Sequence, residues 1–427
     1  MRLGSRKHWS VALALVAFLA LVGVEATERA GKQRIGTDFH VFWQAGYDFA
    51  HGLPLYQRLP GARKFIYPPF AAQVFQVLGI FPLKTAAWLF YVGSVTLIFV
   101  AAKLSRDIIN QIEPTRRVGW WPLVLAVLLS LNFTLNNLNM VQVNLLVFVL
   151  CLLGIRAFVE KREPAAGGWL VAATAIKLTP LFFVVWALIR GTRRIWTAVI
   201  VAGLLSLTLP MVQRGFAQGI MDLKTYYQTF LQAFATGSVI PDYTNQNLAA
   251  LIYRAVVPMS SHDVPSYDYA YLPSLEAAAP LIYRLLAVSI LAVFLAHLLR
   301  LRIGSRPLTA LEISSVFLAS HLLSGITWKA HLVTLLFVAY SFLGLNTDLM
   351  GRGRRAAFAL ACTGLVAIAL GRDVIGSRLH HYVGGYSLIV WVMLLLFVLS
   401  VAWSQQRRLE VRSPAHSRIT KHPQGKP

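Results

Sequence analysis

Charged residues are scarce in this chain, and acids are the scarcest of them. Only 13% of the 427 residues are charged, and 17 Asp and Glu stand against 40 Lys and Arg, whereas 57% of the residues are hydrophobic. So few charged side chains cannot cover the surface of a soluble domain of this size. The composition therefore excludes a soluble protein and predicts an all-α polytopic membrane protein.

Cysteine is nearly absent as well. Cys151 and Cys362 are the two cysteines, and each lies in an apolar run without the context of a disulfide or the spacing of a metal site. No carboxylates or histidines recur at ligand spacing, so neither a metal nor another cofactor is expected. No basic stripe lies on a soluble element, which argues against nucleic acid as a partner.

Long apolar runs are what the chain has instead. A membrane-crossing helix needs roughly 20 apolar residues, and about ten runs come near that length. They lie near residues 9–27, 83–103, 118–135, 141–159, 195–211, 281–301, 308–323, 331–347, 355–371 and 384–403. We expect one membrane domain over residues 1–404, with the first run retained as a helix, and a basic cytoplasmic tail over residues 405–427.

The segment 167–190 is expected to differ from these spans. It lies between two basic loops that should both face the cytoplasm, and with about 24 residues it is too short to cross twice at full length. It is therefore expected to form a hairpin of two broken helices that turns around Lys177-Leu178-Thr179-Pro180, where proline lacks a backbone donor. Both chain termini then lie in the cytoplasm.

Asp38 is an acid placed just past the first apolar run, where the chain is expected to reach the outer face. The apolar residues between Phe39 and Ala50 recur at helical spacing, which predicts an amphipathic helix along the membrane surface. A carboxylate there can serve as a general base for a substrate that arrives from outside. Asp38 also falls at the first turn of this helix, where an acid is a common cap.

Two further outer segments carry polar residues of interest. Residues 212–280 include a second predicted surface helix, Leu223 to Phe234, and the run Asn245-Gln246-Asn247, whose amides can bind sugar hydroxyls or can cap a helix. The turn from Ser324 to His331 carries Trp328, Lys329 and His331. Its lysine and histidine can bind a phosphate, or the Trp and Lys can anchor the turn at the interface.

Polar residues also lie within the apolar runs. Lys177 falls in the predicted hairpin, and an ionisable group at that depth is usually functional. Gln142 and Asn144 begin the fourth run and could line a sugar pocket. Glu312 lies near the cytoplasmic end of its run, where pairing with Arg306 is expected.

The net charge of +23 is explained mostly by cytoplasmic loops that orient the helices and meet anionic lipid. The basic residues on the outer side are not required by topology. Together with the outer histidines they suit a phosphorylated lipid substrate, although solvated loops explain many of them equally well.

Several short elements, in this order, resemble the polyprenyl-phosphate-mannose-dependent α-mannosyltransferases of glycosyltransferase family 87. They are Asp38, Gly52-Leu53-Pro54-Leu55-Tyr56, Tyr67-Pro68-Pro69-Phe70, Gln142-Val143-Asn144, Lys177-Leu178-Thr179-Pro180, Asn245 to Leu248, and Ser324 to His331. In the last element the family tends to have Ser-Pro and paired histidines, whereas this chain has Ser324-Gly325 and Ala330-His331.

The resemblance implies a GT-C type membrane glycosyltransferase that moves a hexose, mannose by analogy, from a polyprenyl monophosphate to a lipid-linked or envelope glycan, with inversion. It implies an active site on the outer face of the plasma membrane. Asp38 would be the base. His331, Lys329 and Lys177 would hold the donor phosphate, and the sugar would contact Gln142, Asn144, Asn245, Gln246, Asn247 and Trp328.

Two alternatives share many of these features. A flippase or other transporter of a lipid-linked sugar would also need many spans and intramembrane polar residues, although no internal repeat of the transporter kind is visible. A GT-C transferase that uses a different sugar is barely separable by sequence.

Overall fold

The computed structural model describes residues 3–31, 38–56, 64–114, 118–232, 242–257, 271–347 and 350–404, with side chains from residue 16 onward. These residues form helices, short helical turns and loops, and no strand occurs among them, as the composition predicts. The predicted tail over residues 405–427 lies outside the described residues.

The α-helices are numbered in chain order. They are α1 Leu3–Gly31, α2 Phe39–Ala50, α3 Pro69–Gly79, α4 Leu83–Ile112, α5 Trp120–Asn139, α6 Asn144–Val159, α7 Glu163–Ile176, α8 Leu181–Arg190, α9 Arg193–Arg214, α10 Phe216–Tyr226, α11 Leu248–Val256, α12 Ala279–Ile303, α13 Ala310–Leu322, α14 Leu335–Leu343, α15 Arg352–Ala369, α16 Arg372–Gly385 and α17 Leu388–Ser404.

Helices that can cross a membrane by length and composition are fewer than the sequence predicts. Four described segments qualify, namely α4, α5, α9 and α12 with the turn before it, and a bent pair, α15 with α16, makes a possible fifth. Shorter apolar helices occupy the other predicted spans between residues 141 and 403. The figure of about ten spans therefore stays a prediction.

The centre of the bundle is built from α13 and α14. Every side chain of α13 from Ala310 to Leu322 is buried, and so are those of α14 except Leu343. By contrast, only 11% of the most apolar stretch of α9 is buried inside the protein. A helix that is apolar yet exposed suits contact with lipid, and α13 contacts other helices on all sides.

The predicted break in the segment 167–190 is present. Helix α7 ends at Ile176, α8 begins at Leu181, and Lys177-Leu178-Thr179-Pro180 forms the turn between them. Pro180 precedes the first residue of α8, where its missing N–H leaves no helical bond unmade.

Helix α2 forms where the periodicity predicts, and it packs closely on α3. A Cβ added at Gly46 would lie 2.1 Å from the backbone oxygen of Phe75, so only glycine permits this approach. Arg214 holds the far end of α2: its guanidinium donates to the carbonyl of Leu53 at 2.8 Å and pairs with Asp222 on α10.

Two details differ from the sequence prediction. The second surface helix begins at Phe216 and not at Leu223, and residues 233–234 of the predicted range lie outside the described residues. Glu312 pairs with Arg190, whose Nε lies 2.9 Å from its Oε1, and not with Arg306. The carbonyl of Arg306 instead accepts a hydrogen bond from Arg190 at 2.7 Å.

Candidate active site

Asp38 lies immediately before α2, and its side chain is buried. No side-chain capping bond runs from its carboxylate to the first turn of the helix. The carboxylate instead accepts a hydrogen bond from Nε2 of Gln142. Asp38 is therefore directed toward the bundle and away from the ordinary capping position.

Gln142 sits in a tight turn between α5 and α6. The preceding residue, Val141, has φ 47° and is buried. This left-handed backbone is unusual for a β-branched residue and persists only where the surroundings impose it. The amide of Asn137 braces the turn by donating to the carbonyl of Gln142 at 3.2 Å.

A line of buried amides connects this turn to Lys177. Asn144 Nδ2 donates to Oδ1 of Asn137 at 3.1 Å, and Nζ of Lys177 donates to Oδ1 of Asn144. The Lys177 ammonium also lies 5.9 Å from the ring centre of Tyr67, within cation–π range. Asp38 and Lys177 are close enough to interact electrostatically.

A small cavity of about 30 Å³, called the polar cavity below for its ionisable residues, lies beside Lys177. Asn144, Lys177, His321 and His331 line it together with Ser320 and Thr334, and most of its remaining surface comes from apolar side chains such as Phe183 and Phe317. The volume suffices for about one water molecule and is too small for a sugar phosphate. It collects one lysine and two imidazoles from three separate parts of the chain.

His321 is a residue that the sequence analysis missed. Its Nε2 contacts Oγ1 of Thr334 at 2.7 Å, and it is fully embedded in the central helix α13. The available signal was an ionisable residue inside an apolar run, the same signal that singled out Lys177.

The amides of residues 245–247 hold the loop before α11 against neighbouring turns. Asn245 Oδ1 accepts from the Thr327 amide at 3.0 Å. Asn247 caps α11 through a 2.8 Å bond from Ala250 N and donates to the carbonyls of Ser324 and Gly325. Gln246 Nε2 donates to the carbonyl of Gly384 at 3.0 Å. The Asn245 and Asn247 amides therefore join the loop to the turn at 324–331, and the Gln246 amide joins it to α16.

The three candidate residues of the 324–331 turn have different neighbours. The His331 imidazole lines the polar cavity, and its Nδ1 accepts from the Trp328 amide at 3.4 Å. The Trp328 ring lies 6.2 Å from the His331 ring. Lys329 is absent from the cavity lining and instead contacts His380 of α16. The structure therefore brings His331 to Lys177 and leaves Lys329 with a different partner.

A second, larger cavity lies on the opposite side of the 177–181 turn. It has a volume of about 470 Å³ and an almost wholly apolar lining from α3, α7, α9 and α10. Leu178 and Leu181 face this cavity, while Lys177, Thr179 and Pro180 face the polar one. The segment Tyr67 to Phe70 also lies between the two cavities. Tyr67 is within cation–π range of Lys177, and the next three residues line the apolar cavity.

Helix α2 has its own titratable groups near Asp38. Burial raises the pKa of Asp48, an effect that a hydrogen bond from Gln44 partly offsets. Burial also lowers the pKa of His40, which favours the neutral imidazole. Within the described residues, no group of three or more His, Cys, Asp or Glu side chains could hold a metal ion.

Comparison with known proteins adds one match. The family model described as Glycosyltransferase family 87 matches residues 65–325, more than half of the chain. The matched region contains Gln142, Asn144, Lys177 and the Asn245 loop, and it excludes Asp38 and His331. No curated protein matches the chain.

Proposed function

The chain belongs to glycosyltransferase family 87, and from this we propose that it transfers mannose from a polyprenyl monophosphate to a lipid-linked or envelope glycan. As a member of this family it is a membrane glycosyltransferase. The identity of the sugar, the lipid donor, inversion at the anomeric carbon and the GT-C architecture are parts of the proposal. So is its placement in the plasma membrane, with both termini cytoplasmic and the site on the outer face.

The observation that carries the proposal is the convergence of Asp38, Gln142, Lys177 and His331. These residues come from four separate segments, and buried hydrogen bonds and a shared cavity connect them. A buried acid next to a buried cation suits a reaction in which a hydroxyl loses a proton while a phosphate leaves. In this proposal Asp38 accepts the proton of the acceptor hydroxyl.

The donor phosphate is proposed to bind where the polar and apolar cavities meet. Lys177 and His331 face one side of the 177–181 turn and can stabilise the charge that develops on the leaving phosphate. Leu178 and Leu181 face the other side, where an apolar prenyl chain could lie along α9. An amphiphilic donor would then have each end in a matching environment.

The sugar is proposed to contact Gln142, Asn144 and Trp328. Gln142 and Asn144 already orient Asp38 and Lys177, so hydroxyls held by these amides would lie between the base and the phosphate. Asn245, Gln246 and Asn247 remain proposed sugar contacts. Asn245 and Asn247 also bond to the 324–327 turn, and Gln246 bonds to the carbonyl of Gly384, so these amides shape the wall of the site as well.

The test is transfer of radiolabelled mannose from polyprenyl phosphate mannose to membrane lipids. Membranes containing the intact protein are compared with membranes containing Asp38→Asn, and Asp48→Asn on the same helix is the control. A new labelled product with the intact protein and the control, but not with Asp38→Asn, supports the proposal.

Lack of transfer by all three proteins, each verified as folded, contradicts mannose as the donor sugar. The same assay with other polyprenyl-phosphate sugars then tests the transferase that uses a different sugar. Movement of labelled donor across the bilayer without a glycosylated product would favour the transporter.

A further inference from the structure

Arg254 is a buried arginine on α11. It is 4% exposed, and it does not occur among the described residues that line the two cavities. Its guanidinium donates to the carbonyl of Asp242 at 2.5 Å and to the carbonyl of Asn245 at 2.6 Å. Its Nε and Nη2 also donate to Oγ of Ser387, at 3.2 and 2.5 Å. A planar guanidinium carries its donors in a fixed fork and can make such a set of bonds, whereas a lysine ammonium carries all of its donors on one atom.

Ser387 offers a fixed acceptor for this fork. It is fully buried between α16 and α17 and has φ 57°. This left-handed backbone is uncommon for a residue other than glycine. Gln246 adds a bond to the same junction, because its Nε2 donates to the carbonyl of Gly384 at 3.0 Å. Arg254 and Gln246 thus attach the loop at 242–247 to the point where two helices meet.

The loop at 242–247 is bonded in turn to the 324–331 turn. The amide of Gln246 donates to the carbonyl of Thr327 at 2.6 Å, and the amide of Thr327 donates to Oδ1 of Asn245 at 3.0 Å. Asn247 adds two bonds to carbonyls of the turn. Because Thr327 is both donor and acceptor to the loop, a shift of the loop would move the turn.

Thr327 also connects the turn to the polar cavity. Its Oγ1 donates to the carbonyl of His321 at 2.8 Å. The amide of the next residue, Trp328, donates to Nδ1 of His331 at 3.4 Å. His321 and His331 both line the polar cavity. A continuous series of hydrogen bonds therefore runs from Arg254, through the loop and Thr327, to the two imidazoles.

We propose that Arg254 is a positioning residue for sugar transfer, which holds the loop at 242–247 against Ser387 so that the 324–331 turn places His331 at the polar cavity. This inference rests on the proposed function, in which His331 stabilises the charge on the leaving phosphate. Arg254 itself touches no substrate in this role. Its removal should therefore act on the reaction chiefly through His331.

A buried arginine can also stabilise a fold without any bearing on a reaction. Arg214 provides the matched control, because it is another buried arginine and its contacts lie at the far end of α2 and on α10. Loss of either arginine should lower the unfolding temperature. Only loss of Arg254 should loosen the 324–331 turn and depend on His331.

Hydrogen exchange measured by mass spectrometry tests the positioning role without any transfer. The full-length protein in detergent micelles is compared with its variants. Arg254→Met should speed exchange of the amides of residues 324–331 about tenfold, because the loop that binds them is no longer anchored. Arg254→Lys keeps the charge and loses the fork, so its exchange should be intermediate. Arg214→Met should change exchange in this turn less than about twofold.

The kcat for transfer provides the second test, through a double-mutant cycle. Arg254→Met should lower kcat about tenfold when His331 is present, but less than about threefold when it is combined with His331→Ala. Arg214→Met should lower kcat by the same factor in both backgrounds. A purely structural role for Arg254 would give the additive result of the control.

Three results would overturn the inference: unchanged exchange at residues 324–331 in Arg254→Met, faster exchange confined to the loop at 242–247, or an equal loss of kcat with and without His331. Should Arg254→Met fail to fold, Ser387→Ala removes only the acceptor hydroxyl and should give the same changes at smaller size. Absence of transfer by the wild type, together with faster exchange in Arg254→Met, would refute the reaction and retain Arg254 as the anchor of the turn. Transfer by the wild type with unchanged exchange in the variant would retain the transferase and refute the positioning role.

Discussion

Asp38 and Gln142 are 104 residues apart in the sequence and are joined by a hydrogen bond in the interior of the protein. The bond directs the carboxylate toward the amides and Lys177. This hydrogen bond joins the start of α2 to the turn between α5 and α6. The first two predictions depend on it.

Asp38→Asn should lower the rate of transfer by about a hundredfold or more, because it removes the base but keeps the shape of the side chain. Steady-state kinetics with a labelled donor measure the loss. Asp48→Asn should retain near-normal rates, and thermal unfolding should be similar for both proteins. Retained activity in Asp38→Asn would assign Asp38 to the helix terminus alone.

Gln142→Met should lower kcat about tenfold and raise the KM for the donor only about twofold to threefold, since it removes the bond that orients Asp38 and one proposed sugar contact but no group that binds phosphate. The split between kcat and KM is the measurement. A higher donor KM at unchanged kcat would indicate that Gln142 binds the donor without orienting the base.

Lys177→Met should raise the KM for the polyprenyl-phosphate donor by roughly ten- to a hundredfold, the expected loss of one charged hydrogen bond. Lys224→Met is the matched control, because Lys224 is exposed on α10. Normal donor affinity in Lys177→Met would show that Lys177 only supports the helix break at 177–180.

Gly203→Phe should obstruct the apolar cavity. Gly203 lines this cavity, and a Cβ added there would meet no atom within 4 Å. The KM should therefore rise for a long-chain donor and change little for a farnesyl donor. Gly93→Phe, on α4, adds the same side chain where a Cβ also meets no atom within 4 Å. Equal effects with both donors would place the prenyl chain elsewhere.

Glu312→Gln should lower the free energy of unfolding by about 3 kcal/mol, because Arg190 would remain buried without its counter-charge. Trp186 also donates to Glu312 at 2.8 Å. Thermal unfolding in detergent measures the change, with Glu276→Gln at an exposed position as the control. Equal unfolding temperatures would mean that the pair makes no net contribution.

Much of the local structure follows from the residues alone. The break between α7 and α8 was predictable because Pro180 and the basic loops on either side permit few alternatives. The helix after Asp38 was predictable from its periodicity. Helix α3 was not recognised, because its eleven residues begin at the second of two consecutive prolines, and such a pair is typical of a loop. The beginning of α10 was placed seven residues late for the same reason: a short amphipathic helix has weak end signals.

The partners of the polar residues were far less predictable. Glu312 was expected to pair with Arg306, which is near in sequence, but the packing of α8 on α13 brings Arg190 to it. Lys329 was grouped with His331 because they are two residues apart, yet the 324–331 turn sends one to His380 and the other to the polar cavity.

The amino-acid sequence is sufficient for the membrane class, the family resemblance and most helix positions, because hydropathy and helix-breaking residues act over a few turns of chain. The grouping of Asp38 with Gln142, Lys177 and His331 depends on how distant helices pack, and so does the separation of Lys329 from that group. Contacts of this kind are set by side-chain fit between helices, as the close approach of α2 to α3 at Gly46 illustrates. Local sequence carries little information about such fit, and the three-dimensional arrangement supplies it.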